Sequence, residues 1–112
     1  YYVIYQGEKF GLKIIYLMEM TAKENSKGIY QKMLDHLDDL AARERADAIS
    51  MLILPNHPDY LFFVKKGYLP VPRKLFPQDI FFAAMANSGA LNKSYVKDAR
   101  NWYITWGDLD VV

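Results

Sequence analysis

The sequence predicts an α/β fold, with a mixed and partly antiparallel sheet flanked by helices. Two runs rich in β-branched and aromatic residues, at positions 2–5 and 12–20, are separated by the turn residues GEKFG and predict a hairpin. From Ile29 onward, apolar residues recur every three or four positions, which is typical of an amphipathic helix. The apolar run ISMLIL then predicts a strand that is buried on both faces.

The remaining elements follow from helix-stop signals and from later apolar runs. Pro58 lies where a first helical turn tolerates proline, and Gly67 ends the helix that begins near His57. The runs DIFFAAMAN and NWYITW each predict a further strand. We therefore expect strands near 2–6, 12–20, 48–54, 79–86 and 101–106, and helices near 25–46 and 57–66.

The composition limits the class of protein. The chain has 112 residues, 52% of them hydrophobic and 15% aromatic, which predicts one folded domain over residues 1–112. The net charge of +1 argues against a nucleic-acid partner, and no apolar run approaches the roughly 20 residues that a membrane helix needs. The absence of cysteine excludes disulfides, thiolate metal sites and a cysteine nucleophile, and it suits a reducing, cytoplasmic compartment.

The polar segment TAKENSKG lies between a predicted strand and the long predicted helix. Backbone N–H groups and the positive end of the helix dipole would favour a phosphate there, and Lys23 and Lys27 add positive charge beside Gly28. An ordinary capped helix start explains the same polar residues. Neither a GxGxxG pattern nor a Walker loop is present, which argues against nucleotide sites of those kinds.

Glu19 is the one charged residue in the strand sequence YLMEM. By alternation along the strand, it shares a face with Leu17 and Ile15. If that face is covered, Glu19 is a candidate general base. If the strand end is open, Glu19 is merely solvated, and the sequence leaves both interpretations standing.

The histidines and the last acidic residues carry weaker signals. His36 and His57 have no second ligand at metal spacing, so we expect structural roles for both and no metal site. Asp108 and Asp110, in the sequence GDLDVV, would suit a cation or a substrate amine. Acidic turns of this kind are usually solvated, so no metal is predicted from them either.

The stretch NHPDYLFFVKKGYLP connects the element order to a known family. Asn56 stands at the end of the predicted buried strand, and Gly67 and Tyr68 follow eleven and twelve residues later. Phe62 and Lys65 lie between them. This spacing resembles the end of the acyl-coenzyme A binding core of the GNAT superfamily of N-acyltransferases, in which a strand-end Asn precedes a short helix that finishes in Lys-x-Gly-aromatic. The order of elements resembles that family over nearly the whole chain.

The resemblance implies that acetyl-coenzyme A or another acyl-coenzyme A is a substrate. In the family, the strand equivalent to residues 14–20 offers backbone groups to the pantetheine arm, and the following loop cradles the pyrophosphate. That loop usually reads Gln or Arg, two residues, Gly, one residue, Gly or Ala, which TAKENSKG does not match. The cofactor-binding residues implied in this way are Leu17, Met18, Met20, Lys23, Lys27, Gly28, Asn56 and Phe63.

The resemblance also implies catalytic roles. In many members of the family, a Tyr four residues before the helix-ending Gly protonates the departing coenzyme A thiolate. Phe63 occupies that position here and has no proton to donate. Tyr60 lies one helical turn earlier, about 5 Å away along the axis. We therefore expect Tyr60 as the candidate acid and Glu19 as the candidate base.

The function predicted is acyl-coenzyme A-dependent transfer of an acyl group, acetyl before others, to an amine whose identity the sequence does not give. The alternative is a degenerate GNAT-like module that binds a partner or completes an assembly without catalysis, which Phe63 favours. The family's first strand and two N-terminal helices have no counterpart before Tyr1. We therefore expect the C-terminal portion of a GNAT domain, with an uncovered apolar surface that promotes self-association.

Overall fold

The chain folds into two compact units. A computed structural model describes residues 1–23, 27–72, 74 and 92–108. The first unit comprises Tyr1–Leu52 and Ile104–Val112, and the second comprises Ile53–Tyr103. Among the described residues, the first unit holds a three-stranded mixed sheet and a long helix, and the second holds two short helices. The predicted α/β class and the mixed sheet are therefore confirmed.

A β-hairpin forms the first part of the sheet. Strand β1 (Tyr2–Lys9) and strand β2 (Leu12–Met20) pair antiparallel from end to end. The two residues between them, Phe10 and Gly11, have φ angles of 56° and 74°. Positive φ at both central residues is typical of the tight two-residue turns whose twist matches that of the strands. The hairpin predicted from the sequence is confirmed.

Helix α1 (Lys27–Glu44) follows β2. Leu34 and Leu37, each 1% exposed, form its buried stripe. Of the apolar positions predicted to face the core, Leu37 does so, whereas Ile29 is 38% exposed. Arg45 ends the helix with a φ of 53°, a left-handed conformation of the kind that commonly closes helices. The predicted long amphipathic helix is confirmed, with its core face centred on its middle turns.

Strand β3 (Ala48–Met51) completes the sheet in the order β1-β2-β3. It runs parallel to β2, and helix α1 is the crossover that parallel neighbours need. The predicted strand over 48–54 is wrong at its end, because residues 52–54 are irregular. Apolar composition predicts burial, but only an adjacent strand supplies ladder hydrogen bonds, and β2 pairs with β3 no further than Met51.

The second unit contains helices α2 (Tyr60–Lys65) and α3 (Lys93–Lys97). Helix α2 begins three residues later than predicted, because residues 57–59 form a turn in which the Asp59 N–H donates to Nδ1 of His57 at 3.1 Å. It ends at Lys65, one residue before the predicted end. Gly67 has a φ of 97°, which allows the chain to turn away after the last helical residue.

Two further predicted strands have different outcomes. The strand near 79–86 lies outside the described residues. The strand near 101–106 is wrong, because residues 102–105 are irregular and lie between the 3₁₀ turns Ala99–Asn101 and Trp106–Asp108. Short-range bonds form instead of a ladder: the side chains of Asn101 and Trp102 donate to the backbone carbonyls of Tyr95 and Val96, each at 2.9 Å.

One face of the hairpin leaves apolar side chains in water. Val3, Tyr5 and Leu12 are each 46% exposed, and Phe10 in the turn is 81% exposed. An outer strand with apolar neighbours is a common template for pairing with another chain. Self-association of this protein stays a prediction, and these residues are where it would begin.

Candidate functional site

A β-bulge interrupts the hairpin near the end of β2. Val3 pairs with Glu19, and the next residue, Ile4, pairs with Leu17. Two adjacent residues of β1 therefore face three residues of β2, and Met18 is the extra one. A bulge bends the strand, increases its twist and re-aims the groups beyond it. The part of β2 for which the resemblance implies cofactor contacts is thus not a regular strand.

The bulge reverses the face on which Glu19 lies. Cross-strand partners share a face of the sheet, whereas adjacent residues of one strand point to opposite faces. Glu19 is opposite Val3 and Leu17 is opposite Ile4, so Glu19 and Leu17 lie on different faces. The prediction that Glu19 shares a face with Leu17 and Ile15 is wrong, because the extra residue shifts the alternation by one.

Helix α1 is tied to the face that carries Leu17. Tyr2 alternates with Ile4 and so lies on that face, and its hydroxyl is 2.7 Å from Nδ1 of His36 on α1. His36 therefore has the structural role that its sequence context predicts. Glu19 lies on the other face of the sheet, away from this helix.

Glu19 is half-buried and accepts two hydrogen bonds. The Tyr1 hydroxyl donates to Oε1 at 2.8 Å, and the Thr21 hydroxyl donates to the same oxygen at 3.4 Å. The hydrogen bond to Glu19 is the largest cause that raises the pKa of the Tyr1 phenol above its ordinary value of 10.0. One carboxylate oxygen of Glu19 is therefore held by two hydroxyl groups.

Strand β2 extends beyond its parallel neighbour. The pairing with β3 ends where Leu17 meets Met51, whereas β2 continues for three residues to Met20. Met18 is therefore outside the ladder on both sides, since the bulge leaves it without a partner on β1. Backbone groups outside a ladder bond to side chains, water or a ligand. The Met18 peptide segment is thus outside the register of both neighbouring strands.

A turn at residues 105–108, here called the Trp106 turn, has its own hydrogen bonds. The backbone N–H and the hydroxyl of Thr105 both donate to Oδ2 of Asp108, at 2.8 and 3.1 Å. Asp108, which the sequence suggested for a cation or an amine, is thus engaged within the turn. Sequence reasoning missed Thr105 and Trp106, because the aromatic run around them resembles a strand.

The Trp106 turn packs on the bulge of β2. The Trp106 side chain is buried, and its ring lies 6.1 Å from the Tyr16 ring at an interplanar angle of 88°. A Cβ atom added to Gly107 would lie 3.3 Å from the carbonyl oxygen of Met18. Among the described residues, the buried Nε1 of Trp106 has no hydrogen-bond partner. The turn therefore approaches the backbone of β2 closely and carries an unused donor.

The predicted phosphate segment is described in part. Lys23 is exposed, residues 24–26 lie outside the described part of the chain, and α1 begins at Lys27. Gly28 is an exposed residue in the first turn of α1. The end of β2 and the start of α1 belong to the same unit, so this segment joins the bulged strand end to a helix N-terminus. Phosphate binding there stays a prediction.

Asn56 and Tyr60 flank the turn that precedes α2. Nδ2 of Asn56 donates to the backbone carbonyl of Arg100 at 2.8 Å, so this amide joins two segments of the second unit. Tyr60 is the first residue of α2 and is half-buried. The ring of His57 lies 5.2 Å from that of Tyr103, which fits the structural role expected for this histidine.

Phe63 is the buried residue of α2 and lies among aromatic rings. Its ring centroid is 5.6 Å from that of Phe62 and 6.2 Å from that of Tyr68, and both pairs are edge-to-face. Such pairs contribute about 0.5–1.5 kcal/mol beyond the area that they bury. The position that supplies a phenol in many GNAT proteins is therefore an aromatic packing position in this chain.

The predicted site residues are divided between the two compact units. Within the first unit, Met18 and Glu19 lie nearest the bulge, whereas Leu17 is buried on the face tied to α1. The first unit holds Leu17, Met18, Glu19, Met20, Lys23, Lys27 and Gly28, and the second holds Asn56, Tyr60 and Phe63.

Three further findings concern membrane helices, metal sites and similarity to known proteins. None of the helices in the described part of the chain combines the length and the apolar composition that a membrane span needs. Within the same residues, no group of His, Asp and Glu side chains is arranged to hold a metal ion. Neither a protein-family model, nor a curated protein, nor a solved structure was found to match the chain.

Proposed function

We propose that this chain is the acyl-coenzyme A-binding part of an N-acyltransferase of the GNAT type, which transfers an acetyl or other acyl group to an amine. The observation that carries the proposal is the end of β2, where Met18 is outside the ladder with both neighbouring strands. A substrate that runs along a strand needs backbone groups that no other strand uses. The resemblance in element order and in the segment from Asn56 to Tyr68 adds support.

The chemistry asked of this segment is acyl transfer. The amine nitrogen attacks the thioester carbon, a C–N bond forms, and the C–S bond to coenzyme A breaks. A backbone N–H near Met18 would stabilise the negative charge that develops on the carbonyl oxygen, a contribution of about 3–4 kcal/mol for one good donor. The amine loses one proton and the leaving thiolate gains one.

Glu19 is the proposed acceptor of the amine proton. It adjoins the bulge, it is half-buried, and its carboxylate already accepts hydrogen bonds from two hydroxyl groups. These hydroxyls hold one oxygen in place and leave the other, Oε2, without a partner among the described residues. Water is the alternative acceptor, because an amine attacking a thioester needs only that its proton leave before or during the collapse of the intermediate.

A second candidate function is a GNAT-like module that binds without catalysis, and Phe63 favours it. The residue is 5% exposed, is enclosed by aromatic neighbours and has no proton to give to a thiolate. Tyr60 has a hydroxyl but lies one turn away on the same short helix. A module of this kind would keep the bulged strand and bind its partner there without turning it over.

Titration calorimetry and amine acylation assays test both candidates. We expect acetyl-coenzyme A to bind, and we expect Glu19→Gln to slow acylation of a panel of primary amines by about 10²-fold or more without weakening binding. Glu8→Gln is the matched control, since Glu8 is an exposed carboxylate on the same hairpin. Binding with no turnover of any amine would favour the second candidate. Failure of coenzyme A and acetyl-coenzyme A to bind would overturn the acyltransferase proposal.

A further inference from the structure

The Trp106 turn lies against the peptide group that the proposed acyl transfer would use. A side chain at Gly107 would begin 3.3 Å from the Met18 carbonyl oxygen and 3.4 Å from the Thr105 hydroxyl. Contacts that short require the neighbouring atoms to shift by a few tenths of an ångström before a side chain fits. Glycine at such a place marks a close approach between two backbones. The acyl end of a ligand bound at Met18 therefore meets this turn.

The Trp106 side chain is packed in the same place. Its ring stands edge-to-face with Tyr16, which precedes Met18 by two residues on β2, and the side chain is only 9% exposed. The two Thr105 bonds to Asp108 fix the backbone on either side of the ring. A turn held by ring packing and by the Thr105 hydrogen bonds is not easily displaced by a longer ligand.

The unused donor of Trp106 is a second, independent observation. Nε1 is buried and, in the described part of the chain, has no hydrogen-bond partner. A buried N–H group without an acceptor is costly, so its presence needs a reason other than packing. The carbonyl oxygen of a bound acyl group is an acceptor of the right chemistry for an enclosed indole N–H.

We propose that the Trp106 turn is the end wall of the acyl site and that Trp106 restricts the acyl group to acetyl or a chain of similar length. This inference rests on the proposed function, since it concerns the same strand end. It identifies the substrate class as short-chain acyl-coenzyme A. Trp106 is then a specificity-determining residue that touches the acyl group, while Glu19 handles the proton.

Acyl chain length is the variable that tests the wall. One methylene more or less in an apolar site changes binding about 10-fold or more. Calorimetric titration with coenzyme A, acetyl-, butanoyl- and hexanoyl-coenzyme A should show that acetyl-coenzyme A binds this chain at least about 10-fold more tightly than the two longer thioesters. Equal binding of acetyl- and hexanoyl-coenzyme A would overturn the inference and leave the proposed function intact. No binding of any of the four would overturn both.

Variants at Trp106 and Gly107 locate the wall. Trp106→Leu should bring hexanoyl-coenzyme A binding to within about 3-fold of acetyl-coenzyme A binding, because a smaller side chain opens the end of the site. Trp106→Phe is the matched control and should keep the preference, because the ring remains. Gly107→Ala should weaken the binding of acetyl-coenzyme A more than the binding of coenzyme A, because the added methyl group crowds Met18. Thermal melts identify variants that do not fold, and the unaltered chain decides the question if all of them fail. An unchanged preference in folded Trp106→Leu would show that Trp106 is not the wall.

Discussion

The end of β2 and helix α2 are the two regions that resemble parts of an acyltransferase, and they differ in how their chemistry is encoded. At the end of β2, the groups on offer are backbone groups, and a bulge at Met18 determines which of them leave the ladder. On α2, the resemblance would put the chemistry in one side chain, and Phe63 has a packed phenyl ring at that position. A backbone site tolerates changes of side chain, whereas a side-chain site is lost in a single substitution.

Ligand binding and proton delivery, the two parts of the proposed activity, therefore have different structural requirements. Binding at the bulge requires only that the hairpin keep its register, and the sheet and α1 hold that register through buried apolar residues. Proton delivery to a thiolate requires a donor on α2 or from water. A chain without such a donor would behave as the non-catalytic module of the second candidate function.

The largest expected effect is on the packing that holds the bulged strand. Ile15 is completely buried on β2, so Ile15→Ala should lower the free energy of unfolding by about 2–5 kcal/mol. Leu61→Ala on α2 is the control, since Leu61 is 67% exposed and surface substitutions usually stay within about 0.5 kcal/mol. Denaturant melts measure both. A small loss for Ile15→Ala would mean that the register does not depend on this core.

The second effect concerns the packed ring on α2. Phe63→Tyr places a hydroxyl in an apolar, buried position, and we expect a loss of about 1–3 kcal/mol in the free energy of unfolding. Phe62→Tyr, at a half-buried neighbour, should cost less because its hydroxyl can reach water. Thermal melts compare the two variants.

Kinetics on the same helix sharpen the comparison if the chain acylates amines. Phe63→Tyr should leave the rate unchanged, because Phe63 is 5% exposed and a hydroxyl on its ring would lie inside the aromatic packing. A fall in rate in Tyr60→Phe would show that the acid lies one turn earlier on α2. A binding module would show no acylation of amines in either variant or in the unaltered chain.

A smaller effect is expected where Asn56 joins two segments of the second unit. Asn56→Ala removes the hydrogen bond to the Arg100 carbonyl and should cost about 0.5–1.5 kcal/mol of unfolding free energy. Lys66→Ala, at an exposed position of the same unit, is the control. If coenzyme A binding also weakens in Asn56→Ala but not in Lys66→Ala, the amide has the cofactor role that the resemblance implies. Unchanged binding would assign it to structure alone.

The smallest effect is a pH dependence in the second unit. The hydrogen bonds from Arg100 lower the pKa of Asp98 from its ordinary value of 3.8 to about 2. A carboxyl group with a lowered folded-state pKa contributes stability that is present above 3.8 and is lost as the pH falls towards about 2. Asp98→Asn should remove this slope from acid melts. Because the pair is exposed, added salt should weaken it, and a slope that survives in Asp98→Asn would arise from another group.

Local signals predicted the elements that depend on short-range pattern. The β-branched runs on either side of GEKFG gave a correct hairpin, and the apolar spacing after Ile29 gave a correct helix α1. The aromatic run NWYITW gave a wrong strand, because the side chains of Asn101 and Trp102 bond to nearby carbonyls instead. Composition cannot distinguish an aromatic segment in a ladder from one held by its own side chains.

The sequence predicted where the candidate site residues lie along the chain, and the pairing of β1 with β2 corrected the face on which Glu19 lies. The sequence alone determined that Met18 and Glu19 lie at the end of a strand, followed by a polar segment and a long helix, and that α2 has phenylalanine at position 63. The tertiary structure decided that Met18 is a bulge, that Glu19 therefore lies on the opposite face from Leu17, and that the Trp106 turn packs there. A bulge is a relation between two strands, and the turn reaches β2 from almost ninety residues away along the chain. Neither can be read from the alternation of side chains within one strand, because that period records only the strand's own residues.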